Sequence, residues 1–368
     1  MGGLVTSRGP GGNGANAAEF RRFPARGQGA RRGGRAGCAV PNSRHNGGGI
    51  ARMFLLVTFC NQGPERRRYG LAAAEPGSAR FHWVAMGRGR KDVGATGFAC
   101  QDGLLFVSTQ SEKARLVAFD TANWRRVAAV PFAKVRDPHS LVSGADGLYI
   151  ASSGDNAIYR LVTKNGELRE EELVWRHPGT SHDRDDVHVN SLGFAGTHLL
   201  ATGFGPRNPD GTWNCDDGFV FDVTEGRFLA RGLDHPHSFI CQGERAAVSE
   251  SRAGRVRIGR LTGEGIDFAV SVPIPGYPRG LTFDGPALYA GTSMMRKYSR
   301  SRKVPVDAAP ADYRRCAIWR IDTATLKAEE ILDCSDQGTE IYEIGVMHGL
   351  SLPAGNARPS SLASALGL

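Results

Sequence analysis

The stretch DVHVNSLGF, residues 186–194, decides how this chain is read. Two polar residues two apart, His188 and Asn190, lead into a small residue and an apolar run. Aligned on that small–apolar pair, the phrase recurs along the chain as ATGF (95–98), PHSL (138–141), VNSL (189–192), PHSF (236–239), PRGL (278–281) and MHGL (347–350). The residue before the pair is Thr96, His139, Asn190, His237, Arg279 and His348 in turn, at spacings of 43, 51, 47, 42 and 69. A recurrence of about 40–50 residues is the mark of a repeat architecture in which each unit is one small sheet.

Between these phrases lie short runs of strand formers split by Gly, Asp and Asn, such as GLYIASS (147–153), HLLATGF (198–204), ALYAGTS (287–293) and AIWRID (317–322). Helical periodicity is almost absent. Many short strands at regular spacing indicate an all-β sandwich, barrel or propeller, and the period selects the propeller. After MHGL no further strand follows, only SLPAGNARPS, whereas FLLVTFC (54–60) stands unpaired at the other end. We therefore expect a six-bladed β-propeller over 53–353, closed by an N-terminal strand that completes the last blade and so removes the exposed sheet edges. A C-terminal tail, 354–368, follows it.

In such a fold the first strand of each blade lines the central channel, and the six repeated positions should form a ring. Residues two earlier share the strand face, so Gly94, Asp137, His188, His235, Tyr277 and Val346 should form a second ring nearer the mouth. A purely structural signature would repeat one residue type; here the polar residue changes from blade to blade, as a site would require. His139, His188 and His237 are candidate ligands for one divalent metal ion, since neutral imidazole suits zinc, iron, copper or nickel. Asp137, Asn190 and Glu250 could add oxygen donors. Without a metal, His188 or His237 would serve as acid or base while Arg279 orients an anionic group. Asn190, Tyr277 and Glu250 are candidate binding residues, with Gln110 near the same mouth.

The last long spacing contains MRKYSRSRK (295–303), five basic residues in nine, between the second and third strands of its blade. Beside the mouth, Arg296 and Lys297 would favour a phosphorylated, sulfated or carboxylated ligand. SHDRDDVH (181–188) is read as an exposed acidic loop between blades. There is no GxSxG nucleophile elbow, and GPGGNG (9–14) lacks the strand and helix of a phosphate loop.

The net charge of +9 does not belong to the propeller. Residues 1–52 hold nine Arg, no Lys and one acid, Glu19, a balance of +8 that leaves +1 for the rest. With 14 Gly in the same 52 residues, this arm reads as disordered, or as sequence upstream of a true start at Met53. Nucleic acid is thus not expected as a partner of the folded part. Seven cysteines form no CxxC pair, so no zinc or disulfide framework is expected. MFLLVTFC is too short for a signal-peptide core and nothing approaches a membrane span, so a cytoplasmic protein is expected.

The motifs HVNSL, HPHS, GYPRGLTFDG followed by GTS, and the terminal EIYEIGVMHG occur in an order that resembles a bacterial family of conserved hypothetical β-propeller proteins of unknown function. The family more often ends its last motif in Pro-Gly than in the His-Gly found here. The resemblance implies the fold and brings no activity. More distantly the chain is similar to six-bladed propellers of the regucalcin and gluconolactonase type, whose axial metal is held mainly by carboxylates and amides rather than by histidines. The expectation is a propeller whose histidine-rich axial site serves a hydrolase, lyase or isomerase, metal-dependent if the ion is bound, acting on a small anionic substrate; the alternative is a non-enzymatic propeller that binds a glycan, peptide or protein on the same face.

Overall fold

The computed structural model describes residues 53–61, 70–78, 80–86, 94–110, 113–214, 216–294, 298–299, 304–305 and 315–353. The basic arm 1–52, the C-terminal tail 354–368, and Arg296 and Lys297 of the inserted segment lie outside them. Strand β1 (Met53–Asn61) is followed by β2 (Leu71–Ala74) and β3 (Phe81–Val84). The first complete blade comprises β4 (Ala95–Gln101), β5 (Leu104–Thr109), β6 (Arg115–Asp120) and β7 (Arg126–Pro131). The second comprises β8 (Pro138–Gly144), β9 (Gly147–Ser152), β10 (Ala157–Lys164) and β11 (Glu167–Arg176). The third comprises β12 (Ser191–Ala195), β13 (His198–Gly203), β14 (Gly218–Asp222) and β15 (Arg227–Leu233). The fourth comprises β16 (Pro236–Gln242), β17 (Arg245–Glu250), β18 (Arg255–Leu261) and β19 (Ile266–Pro273). In the fifth, β20 (Tyr277–Asp284) and β21 (Ala287–Ser293) are separated by the pair β22 (Tyr298–Ser299) and β23 (Val304–Pro305) from β24 (Ala317–Asp322) and β25 (Ala328–Asp333). Strand β26 (Glu340–His348) begins the sixth blade, whose order is β26-β1-β2-β3.

Closure therefore occurs as expected. β1 lies between β26 and β2, antiparallel to both, with Leu55 opposite Val346 and Leu56 opposite Ala73. Its unbroken apolar run has a direct explanation. Leu55, Val57 and Phe59 pack toward the fifth blade, with Tyr289 and Ile318, whereas Phe54 and Leu56 pack toward the first, with Leu105 and Val107. Four further clusters join the first blade to the second, second to third, third to fourth, and fourth to fifth. The core is thus a closed circuit of six blade-to-blade contacts rather than one central mass.

Tight hairpins make the blades compact. Asp102 and Gly103 (φ 51° and 76°) join β4 to β5, and Asn165 and Gly166 (φ 52° and 81°) join β10 to β11. Two successive residues of positive φ match the twist of the flanking strands, and Asp-Gly and Asn-Gly reach that conformation at least cost. No α-helix occurs among the described residues, and none there is long and apolar enough to cross a membrane.

Candidate axial site

The small residue of the repeat has a packing origin. Pairing between the first two strands slips by a residue between Ala95 and Phe98, Pro138 and Leu141, His237 and Ile240, and Pro278 and Leu281. Each slip is a bulge that brings the first strand close to the next blade. A Cβ on Gly97 would lie 2.1 Å from the Leu141 nitrogen, and one on Gly280 would lie 2.7 Å from the Ile344 nitrogen.

A second repeated device sits just before the bulge. Gly94, Asp137, His188 and His235 all have left-handed backbones, with φ of 63°, 48°, 50° and 49°. Histidine and aspartate tolerate this region better than most residues. Consequently His188 and His235 do not simply share a strand face with the residue two later. The carbonyls of Asp137 and His235 turn instead toward the imidazole two residues on, at 2.8 Å from Nδ1 of His139 and 3.3 Å from Nδ1 of His237.

Much of the predicted ring serves as scaffold. Thr96 Oγ1 donates to Pro138 O (3.0 Å), Asn190 Nδ2 to Pro236 O (3.0 Å) and Ser293 Oγ to Ile341 O (2.9 Å). Ser153 Oγ and Ser251 Oγ make the equivalent bonds to Val189 O (2.6 Å) and Pro278 O (2.5 Å). Thr58 Oγ1 donates to Thr96 O at 2.6 Å across the remaining junction, so all six junctions between blades are stitched in this way. Asn190 is fully buried, and its Oδ1 also accepts from Thr202 Oγ1 at 2.7 Å, so both ends of its amide serve the scaffold. Glu250 is fully buried as well, accepting the Asp234 N–H at 3.0 Å and pairing with Arg255.

The two serines fix the tautomers of their neighbours. Ser153 has one proton, given to Val189 O, so His139 Nδ1, 2.9 Å from that Oγ, must be the N–H donor. Ser251 places His237 Nδ1 in the same position at 2.7 Å. In both rings Nε2 is then bare. Burial holds the pKa of His139 below the ordinary value, opposed by the Asp137 carboxylate, and pushes that of His237 well below it, aided by the Arg279 charge. Both are neutral at pH 7.

His188 is held differently. Asp185 accepts the His188 backbone N–H on Oδ1 (2.8 Å) and Nδ1 on Oδ2 (2.7 Å). The loop expected to be an exposed acidic connection therefore supplies a carboxylate that orients an imidazole. Asp186 is also drawn inward, accepting the Ser181 N–H at 2.6 Å, whereas Asp183 stays exposed beside Ser181.

Around the axis the side chains form a closed circuit. His139 lies 4.9 Å from His188, His188 4.5 Å from Phe204, Phe204 5.1 Å from His237, and His237 5.8 Å from Tyr277, between ring centroids. The Arg279 guanidinium carbon stands 5.2 Å from the Tyr277 ring and 6.0 Å from that of Tyr342, which is 5.4 Å from His139. Phe204 also carries His235 stacked at 4.4 Å and Trp213 edge-on at 5.7 Å. Arg279 is paired with the buried Glu340 at 3.5 Å and donates to Cys60 Sγ at 3.3 Å.

Two corrections follow for the last blade. The axial residue there is Tyr342, whose hydroxyl crosses the channel to donate to Asn190 O at 2.7 Å. His348 lies six residues further along β26, half exposed and bonded to Asp284 at 3.0 Å. The mouth position is correspondingly Glu340 rather than Val346, which faces the apolar core. Among residues not singled out from sequence, Asp185, Phe204, Trp213, Glu340 and Tyr342 belong to the site. Gln110 does reach the mouth, donating to Asp137 Oδ1 at 3.2 Å.

Among the described residues no group of three or more His, Cys, Asp or Glu is placed to hold a metal ion. The divalent metal expected on His139, His188 and His237 therefore draws no support from the geometry. Cys60, Cys241, Cys316 and Cys334 are buried, and burial raises the pKa of Cys241 to about 12.

A family model described as a domain of unknown function, DUF4915, matches residues 137–355. The chain belongs to that family. The matched stretch begins at Asp137 and includes every member of the circuit, so the DUF4915 region carries the site as well as five of the six innermost strands. No curated protein matches the chain. Among solved structures, the DUF4915 chain is similar to a protein of unknown function from Bacteroides caccae, at 13% identity and a TM-score of 0.53, covering 80% of this chain and 99% of that one. It also matches a chain of a nidogen/laminin complex (13%, TM-score 0.49, 81% and 100%) and the dihydro-heme d1 dehydrogenase NirN (11%, TM-score 0.41, 79% and 74%). At such identities the first of these likenesses speaks for the fold alone.

Proposed function

We propose that the channel mouth binds a small molecule and that His188, oriented by Asp185, is its acid–base group. The observation that carries this reading is the 2.7 Å contact between Asp185 Oδ2 and His188 Nδ1. It makes Nδ1 the N–H and leaves Nε2 without a hydrogen-bond partner among the described residues, within a circuit of aromatic and imidazole rings. A carboxylate that fixes an imidazole's tautomer and stabilises its protonated form is the arrangement general acid–base catalysis needs. The apolar walls of Phe204 and Tyr277 suit a pocket that excludes water around few polar groups. The chemistry fits proton transfer, as in hydrolysis, elimination or isomerisation.

The test is a proton-release and product screen of the full chain against small esters, lactones, hydroxy acids and sugars. The reading predicts that a turned-over compound loses about 10²–10⁴-fold in kcat/KM in His188→Ala, and a smaller factor in Asp185→Asn. Equal turnover by His188→Ala overturns the acid–base role. Failure of every compound to shift the melting temperature overturns the binding site. Loss of turnover on metal chelation, restored by added metal, would instead favour the metal reading.

A further inference from the structure

Two buried nitrogens at the mouth lack partners: Nε2 of His235, a residue only 6% exposed, and Nε1 of Trp213. Trp175 Nε1 and Gln101 Oε1 are also buried without partners, but they lie on the outermost strand β11 and at the far end of β4. The His235 and Trp213 rings both pack on Phe204, and the His235 imidazole is hydrogen-bonded to the Trp213 backbone. With that bond made by the other ring nitrogen, Nε2 of His235 is a bare acceptor, while indole Nε1–H can only donate. Leaving either buried and unsatisfied is costly, a cost that a guest at this place would recover.

The two orphans together restrict the guest. An anion can satisfy the indole N–H but sets lone pairs against lone pairs at His235. An ammonium group can satisfy His235 but has nothing to accept from Trp213. A hydroxyl does both. Beyond them, His139 and His237 also present bare Nε2 atoms, so the site offers three acceptors in all. A carboxamide has two N–H groups to give them; a polyol has one O–H per carbon. Charge gives an anion no clear advantage: Arg279 is already paired with Glu340 and Arg252 with Asp234, and the carboxylates of Asp137 and Asp185 stand against the Arg207 guanidinium, 5.0 Å from the Trp213 ring. From these observations we infer that the axial site takes a neutral polyhydroxylated, sugar-like ligand rather than an anion. The inference rests on the small-molecule reading above and narrows it.

Calorimetric titration of the full chain with D-glucose, D-galactose, myo-inositol, D-gluconate and nicotinamide tests it. At least one neutral polyol should bind at millimolar concentration or below, and more tightly than gluconate or nicotinamide. Trp213→Phe and His235→Phe should each weaken it by about tenfold, the effect of one lost buried hydrogen bond. Should either variant fail to fold, the His235 Nε2 resonance of the wild-type chain must move on polyol addition. The inference is overturned if gluconate or nicotinamide binds and no polyol does, if no probe binds, or if polyol affinity ignores both substitutions, as it would were the orphans met by ordered water. Turnover of an anion or amide that depends on His188 would sink the polyol inference alone. Polyol binding without any His188-dependent turnover would sink the acid–base role alone.

Discussion

His235 owes its place in the site to a backbone angle of 49°, which turns the chain into the mouth and leaves the ring flat on Phe204. Burial, with the Arg252 charge, lowers its pKa from 6.5 to about 4. The folded state thus binds fewer protons than the unfolded chain across that interval, and stability falls as pH drops from 6.5 toward about 4. His139 and His237, shifted in the same direction, add to the slope. Urea unfolding at stepped pH should show His235→Phe losing part of this acid sensitivity, worth up to about 3 kcal/mol for a shift of that size; an unchanged slope would contradict the assignment. Ser251→Ala tests the tautomer relay. It removes the bond to Pro278 O and an acceptor for His237 Nδ1, and should lower stability by about 1–2 kcal/mol in chemical denaturation. A neutral effect would show that the serine does not hold the ring.

At the level of strands, the repeat was legible because bulge and close blade contact demand a small residue followed by an apolar one. Gly97→Ala, with its added carbon 2.1 Å from Leu141 N, should cost about 3 kcal/mol or more through overpacking. Gly263→Ala meets nothing within 4 Å and should leave the melting temperature within a degree or so of wild type. Equal stability of the two variants would dispose of the packing account. The same template misplaced the last blade. There Glu343 stands where Gly or Ser stands elsewhere, so the small–apolar pair was found at Gly349–Leu350 and His348 took the place of Tyr342. Phe204 and Trp213 left no periodic signal, because they lie in the connection after β13 rather than in a first strand. Asp185 was hidden for another reason: a run of acids reads as solvated until a partner such as His188 is known to face it.

For the molecule as a whole, closure was readable from an unmatched strand at each end of the chain, and the six blade-to-blade clusters show why it matters. β1 contributes to two of them, so deleting residues 53–60 should abolish cooperative unfolding by calorimetry, and a retained sharp transition would refute closure by this strand. Closure also sets the site, since rings from every blade but the first meet only when the circuit is complete. The most direct test of the account is therefore the protonation of the four imidazoles at the mouth. Nitrogen-detected NMR of histidine-labelled protein at neutral pH should show Nδ1–H in all four and a bare Nε2 in His139, His235 and His237, with the His188 pattern altered in Asp185→Asn. Protonated Nε2 in the serine-held pair His139 and His237, or a His188 without Nδ1–H, would contradict it.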